Sequence, residues 1–122
     1  MDALASNPFA AHKSELVIAN KLFSLGLTDK YEYERPFDGT VTPGRMRPDF
    51  SFVDAAGDLI IWEHLGMLAR EDYRRGWEWK KEWYSKNGFV IEQNLFTTED
   101  DERGGLDSAA ITATAEKIGQ LL

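Results

Sequence analysis

The run Leu59-Ile60-Ile61-Trp62 constrains this chain most, because four consecutive large apolar residues are too apolar for a solvent-facing sheet edge. The run places a strand inside a sheet covered by other elements, and Glu63 follows it directly. A carboxylate at the end of a buried strand must be neutralised, paired or metal-bound, because burying it bare is costly. The question for the rest of the sequence is what meets Glu63.

The segment before the run supplies a candidate. Residues 47–54 and 58–64 read as two strands joined by Ala55, Ala56 and Gly57, a connection suited to a bulged hairpin because glycine takes positive φ. Pairing Asp54 with Asp58 sets Val53 opposite Leu59, Ser51 opposite Ile61 and Asp49 opposite Glu63. Directly opposed side chains have Cβ atoms about 4.5–5.5 Å apart, and like charges there are destabilising. A divalent cation resolves the conflict, since magnesium takes oxygen ligands, one or two protein carboxylates and several waters. The other resolution is a strand rim where both acids make hydrogen bonds or ion pairs with Arg47 or Lys80. A one-residue slip of register would turn one carboxylate to the opposite face.

The remaining pattern surrounds this hairpin with helices. Ser14 is a candidate cap for a helix to about Leu25, with Leu16, Ala19, Asn20, Phe23 and Leu27 at helical spacing and Gly26 as its stop. Residues 1–11 read as a lead-in. Tyr31 to Arg35 alternates aromatic and charged residues as a strand ended by Pro36, and Asp38, Gly39, Pro43 and Gly44 mark a loop. A long helix follows over about 69–86, then a strand over 89–96, an acidic loop around Asp100 and a terminal helix over 106–122. The order αβββαβα predicts one α/β domain over 1–122, with a mixed sheet between helices.

Composition narrows the chemistry. The 122 residues include no cysteine, which excludes disulfides, thiolate zinc sites and cysteine nucleophiles. No apolar run approaches the roughly 18 residues of a membrane span, and Met1 to Phe9 lacks a signal-peptide pattern, so a cytoplasmic protein is expected. The net charge of −7 weighs mildly against a nucleic-acid partner, although Glu99, Asp100, Asp101, Glu102 and Asp107 concentrate it in one segment. Basic residues lie elsewhere, at Arg45 and Arg47 and at Arg70, Arg74, Arg75, Lys80, Lys81 and Lys86 on the long helix.

Arg47-Pro48-Asp49-Phe50, a hairpin, and then Ile61-Trp62-Glu63-His64-Leu65-Gly66 together resemble the PD-(D/E)XK nucleases. The similarity is closest to the branch whose second motif reads EHLG, often attached to superfamily 1 helicases. It extends to Ser14-Glu15 with Ile18-Ala19-Asn20, to Tyr31-Glu32-Tyr33-Glu34, and to Tyr73, Trp77, Lys80 and Tyr84, covering residues 13–98. The resemblance implies a restriction-endonuclease-like core with a four-stranded mixed sheet. It also implies hydrolysis of DNA with Mg²⁺, or Mn²⁺ in its place, as a nuclease module of a repair, mobile-element or defence system. Asp49, Glu63 and the backbone carbonyl of His64 would be metal ligands, Glu15 the acid from the first helix, and a helicase domain or subunit a partner. No GxxxxGK[ST] loop occurs in the chain, so any motor lies elsewhere.

The chain departs from the family pattern at Leu65, where a lysine is expected to position the attacking water. Tyr73, Trp77, Lys80 and Tyr84 share one helical face, and a lysine among inward aromatics needs an anionic partner. Lys80 is therefore the expected substitute, against the alternative of a side chain that snorkels to water, and Lys81 is the reserve. His64 points away from Glu63 by alternation, which favours a supporting role over general base or metal ligand. Glu15 would otherwise serve its helix N-terminus. Gln93 reads as solvated, His12 has no evident partner, and Trp77, Trp79 and Trp83 read as core in preference to base-stacking. A nuclease fold kept for binding DNA or a protein, without turnover, is the alternative function.

Overall fold

The computed structural model describes residues 13–101, 103 and 105–122; the expectations for residues 1–12, His12 among them, and for Glu102 lie outside the described residues. The elements are α1 (Lys13–Ser24), a short 3-10 turn (Thr28–Lys30), β1 (Tyr31–Tyr33), β2 (Phe37–Asp38), β3 (Arg45–Met46), β4 (Phe50–Val53), β5 (Leu59–Leu65), α2 (Glu71–Lys86), β6 (Leu95–Glu99) and α3 (Ser108–Leu121). Four strands form a mixed sheet in the order β1-β4-β5-β6, antiparallel except for the parallel pair β5 and β6. The chain is thus α/β, with three helices around a four-stranded mixed sheet.

The apolar run forms β5, inside the sheet as expected, with Ile60, Ile61 and Trp62 almost fully buried. Alternation splits the core between the two faces. Phe50, Phe52, Ile60 and Trp62 pack with Ile18 and Leu22 of α1 and Ile111 and Ile118 of α3. On the other face Ile61, Leu65 and Leu95 pack with Trp77, Trp83 and Tyr84 of α2. Each fully buried side chain of this size contributes about 1.5–3 kcal/mol, so both faces need their helices. No helix among the described residues is long and apolar enough to cross a membrane.

The hairpin register is Val53 with Leu59, Ser51 with Ile61 and Phe50 with Trp62, in line with the sequence count. The ladder stops at Phe50, where the sequence reading began the strand at 47. Pro48 has no N–H for a ladder, and the residues before it leave the sheet so that Arg45–Met46 pairs with Phe37–Asp38. This small ribbon occupies the expected loop and sits on the end of α2. Asn87 Oδ1 accepts from the Val41 and Thr42 amides, and the Trp83 indole donates to the Pro43 carbonyl.

Three other expectations are corrected. The first helix buries Glu15, Ile18, Ala19 and Leu22 instead of the stripe through Leu16, Asn20 and Phe23, and Phe23 is 73% exposed. Both stripes carry apolar residues at helical spacing; the inward one packs Ile18, Ala19 and Leu22 into the core and lets Glu15 accept from Tyr33. Gly26 does end this helix, at φ 73°, with the Leu27 amide donating to the Leu22 carbonyl. The first strand ends at Tyr33, because Glu34 turns to φ 52°. The last strand begins at Leu95, not 89. Asn94 accepts from the Val90 amide and donates to the Gly88 carbonyl, and Glu92 takes φ 67°, so side-chain bonding holds 89–94 as a turn.

Candidate functional site

Asp49 and Glu63 meet where the β4–β5 ladder gives out. The Asp49 amide, one residue beyond the last ladder pair, donates to Glu63 Oε1 at 3.0 Å. The His64 amide in turn donates to Asp49 Oδ2 at 2.8 Å. Two side-chain carboxylates thereby take the place of the next backbone bonds and are held at one sheet end. Glu63 is 2% exposed, and Tyr84 completes its surroundings by donating to Oε2 at 3.0 Å.

Lys80 comes from α2, the layer facing this side of the sheet. Its Nζ lies 2.6 Å from Glu63 Oε2, so it faces the carboxylate rather than snorkelling away. Lys81 instead pairs with Glu78 on the surface. Leu65, two residues after Glu63 on the same strand face, is buried against the aromatic side chains of α2. The position where the motif expects lysine is core here, and the cation at the acid pair comes from the opposing helix.

Glu15 is buried and reaches the pair from the other side. It shares a hydrogen bond with Asp49 and accepts one from Tyr33 at 3.0 Å. Burial pushes the Asp49 carboxyl up to about 8; the neighbouring Glu63 charge pushes the same way, Glu15 adds to it, and the His64 amide partly opposes them. Burial likewise lifts the Tyr84 and Tyr33 phenols above their ordinary range, with nearby carboxylates adding to the shift, so both act as donors. Burial raises Tyr73 too, and its phenol oxygen accepts from the Gly66 amide at 3.3 Å.

The side chain of His64 is fully engaged on the opposite face from Glu63. Nδ1 lies 2.8 Å from Thr98 Oγ1 and Nε2 lies 2.8 Å from Asp100 Oδ1. The Trp62 indole donates to the same Thr98 oxygen at 3.0 Å. Because an Asp100 carboxylate only accepts, a neutral ring carries its proton on Nε2; Nδ1 then accepts from the Thr98 hydroxyl, whose oxygen accepts from the indole. Thr98 and Asp100 escaped the sequence reading, which ended the last strand at 96. The available signal was Thr97-Thr98 ahead of the acids, a β-branched pair that extends the strand.

Asp49, Glu63, Tyr73, Gly76, Trp77 and Lys80 are among the residues lining a cavity of about 250 Å³. A wider cleft of about 530 Å³ adjoins Asp49 on the side of Glu15, Glu34 and Asp100. A third groove of about 540 Å³ is lined by residues of β1, β4 and the start of β5, but its charged residues Asp29, Lys30, Glu32 and Arg35 are exposed and give it no comparable chemistry. Gln93 is exposed in the turn just before β6 and not on the strand expected to carry it, and Trp77 and Trp83 are core as expected while Trp79 is exposed.

Among the described residues no three histidine, aspartate or glutamate side chains form a ready metal-holding group. The donor chemistry nonetheless suits a hard cation. Two carboxylates meet at one sheet end, where burial first and the Glu63 charge second raise the Asp49 carboxyl, and all their donor atoms are oxygens. Magnesium needs no more than one or two such protein ligands beside its waters.

No family model matches the chain, and no solved structure matches it. Among curated proteins it is similar to an uncharacterized protein of Methanocaldococcus jannaschii, 32% identical over 105 residues, which is 85% of this chain and 8% of the relative. The chain therefore spans less than a tenth of the length of that relative.

Proposed function

We propose that the chain is a PD-(D/E)XK-type domain with a restriction-endonuclease-like core that hydrolyses DNA phosphodiester bonds with Mg²⁺, or Mn²⁺ in its place. The observation that carries this reading is Lys80 Nζ at 2.6 Å from Glu63 Oε2, in one cavity with Asp49. It gathers two acids and a lysine although the motif position for lysine holds Leu65. Asp49, Glu63 and the backbone carbonyl of His64 would hold the cation, with Glu15 steadying Asp49. When bound, the cation supplies neutralising charge to the phosphodiester and acidifies water at the site.

The chain's own groups do the remaining work. Tyr84 and the Asp49 amide orient Glu63, and the His64 amide orients Asp49. Lys80 donates to the attacking water and offsets charge that develops on the phosphate oxygens, a role that preorganised donors fill without reorganisation. In a fold kept for binding alone, Leu65 would mark a lost lysine and Lys80 would only neutralise Glu63. Metal-dependent cleavage of plasmid DNA by the intact chain, and its dependence on Asp49 and Glu63, separates the two.

A further inference from the structure

Gly76 occupies the interior of α2, where glycine costs about 0.5–1 kcal/mol relative to alanine. Nothing in the packing requires it: a Cβ built there meets no atom within 4 Å, and the φ is unexceptional. Its open side borders the cavity that holds Asp49, Glu63 and Lys80. Three residues on, Trp79 is 63% exposed, while Trp77 and Trp83 on the same helix are buried. Residues three apart on a helix are surface neighbours, so the open backbone at Gly76 and the indole of Trp79 lie side by side. Tryptophan is usually highly buried, and an exposed one beside a vacant notch offers a flat π face to a planar ligand.

We infer that the notch at Gly76 and the Trp79 indole form the seat of an unpaired DNA strand, its backbone crossing α2 at Gly76 and one base stacked on Trp79. The inference rests on the nuclease reading and gives it a substrate class, a single strand or a frayed end, because a base inside a duplex cannot present its face. The cavity beyond Gly76 leads the same backbone to the acid pair and Lys80. Stacking on an aromatic side chain is sequence-tolerant and is worth about 1–3 kcal/mol per base, equivalent to about 5- to 150-fold in affinity.

The test is anisotropy titration of a labelled DNA single strand and of a hairpin duplex in chelator, with cleavage of the same single strand in magnesium measured in parallel. The wild-type chain is expected to prefer the single strand. Trp79→Ala should lose about 5- to 150-fold in single-strand affinity with an unchanged Tm, because the side chain is exposed. Gly76→Leu should lose about tenfold or more by filling the notch. Gly76→Ala should raise Tm by about 2–4 °C, since the methyl group meets open space. Equal binding by wild type, Trp79→Ala and Gly76→Leu overturns the strand seat, as does a preference for duplex or no binding at all. Metal-dependent cleavage alongside such equal binding would leave hydrolysis standing without the seat. Lost binding in both variants, with no cleavage by any chain, would leave the seat standing without hydrolysis.

Discussion

Replacing Lys80 by methionine tests the contact on which the site depends. Methionine keeps much of the stem and removes the ammonium that lies 2.6 Å from Glu63 Oε2. Breaking a buried ion pair by removing one partner typically costs about 3–5 kcal/mol, and an exposed pair is worth about 0–1 kcal/mol. Here the carboxylate is 2% exposed and the lysine side chain 33%, so water reaches one partner only. Tyr84 and the Asp49 amide continue to serve the carboxylate after the lysine is gone. The expected loss is therefore about 2 kcal/mol, or about 8 °C in Tm for a chain of this size. Urea unfolding in chelator provides the assay. Lys81→Met, which opens a surface pair with Glu78, should stay within about 0.5 kcal/mol of wild type. Adding Glu63→Gln to Lys80→Met should recover part of the loss, because no uncompensated charge remains. A Lys80→Met chain as stable as wild type, or a larger loss at Lys81, would refute the placement of this side chain.

Two further outcomes follow from the buried polar groups. Asp49 has its folded pKa raised to about 8 from an ordinary 3.8, so its stabilising effect is complete below about pH 4 and is lost as pH rises through 8. Unfolding in chelator should show stability falling as pH rises across that window, and Asp49→Asn should flatten the profile; a wild-type profile already flat there contradicts the assignment. Thr98→Val strips a buried partner from both the Trp62 indole and the His64 ring and should cost about 2 kcal/mol in urea unfolding, whereas Thr98→Ser retains the hydroxyl and most of the stability. Equal stability of the valine and serine variants would show that the network does not bear on the fold.

The site acids were legible because a strand pair has only one register that buries both of its apolar sets. Counting back from Val53 and Leu59 set Asp49 against Glu63, and the proline before Asp49 then ended the ladder so that the two side chains took over its bonds. Lys80 was legible for a similar reason: it shares a face with Tyr73, Trp77 and Tyr84, and that face packs on the sheet. The inward stripe of α1 was not, because both stripes carry apolar residues and the choice depends on partners distant in sequence, the core around Ile18 and Leu22 and Tyr33 at Glu15. The start of β6 was hidden by Val90 and Ile91, which look like strand residues but are about half exposed in a turn closed by Asn94. The same shift concealed Thr98 and Asp100, which meet His64 across the parallel pair, Thr98 holding the Trp62 indole as well.

Hydrolysis at the acid pair is tested by following a labelled DNA single strand and supercoiled plasmid over time with purified wild-type, Asp49→Asn and Glu63→Gln chains, each with magnesium, manganese or chelator and each checked for folding. Wild type should shorten the single strand with either metal and leave it intact in chelator, and both variants should cut at least about a hundredfold more slowly. Undiminished cleavage by the folded variants, or cleavage of neither DNA by wild type with either metal, would refute the assignment of hydrolysis to Asp49 and Glu63.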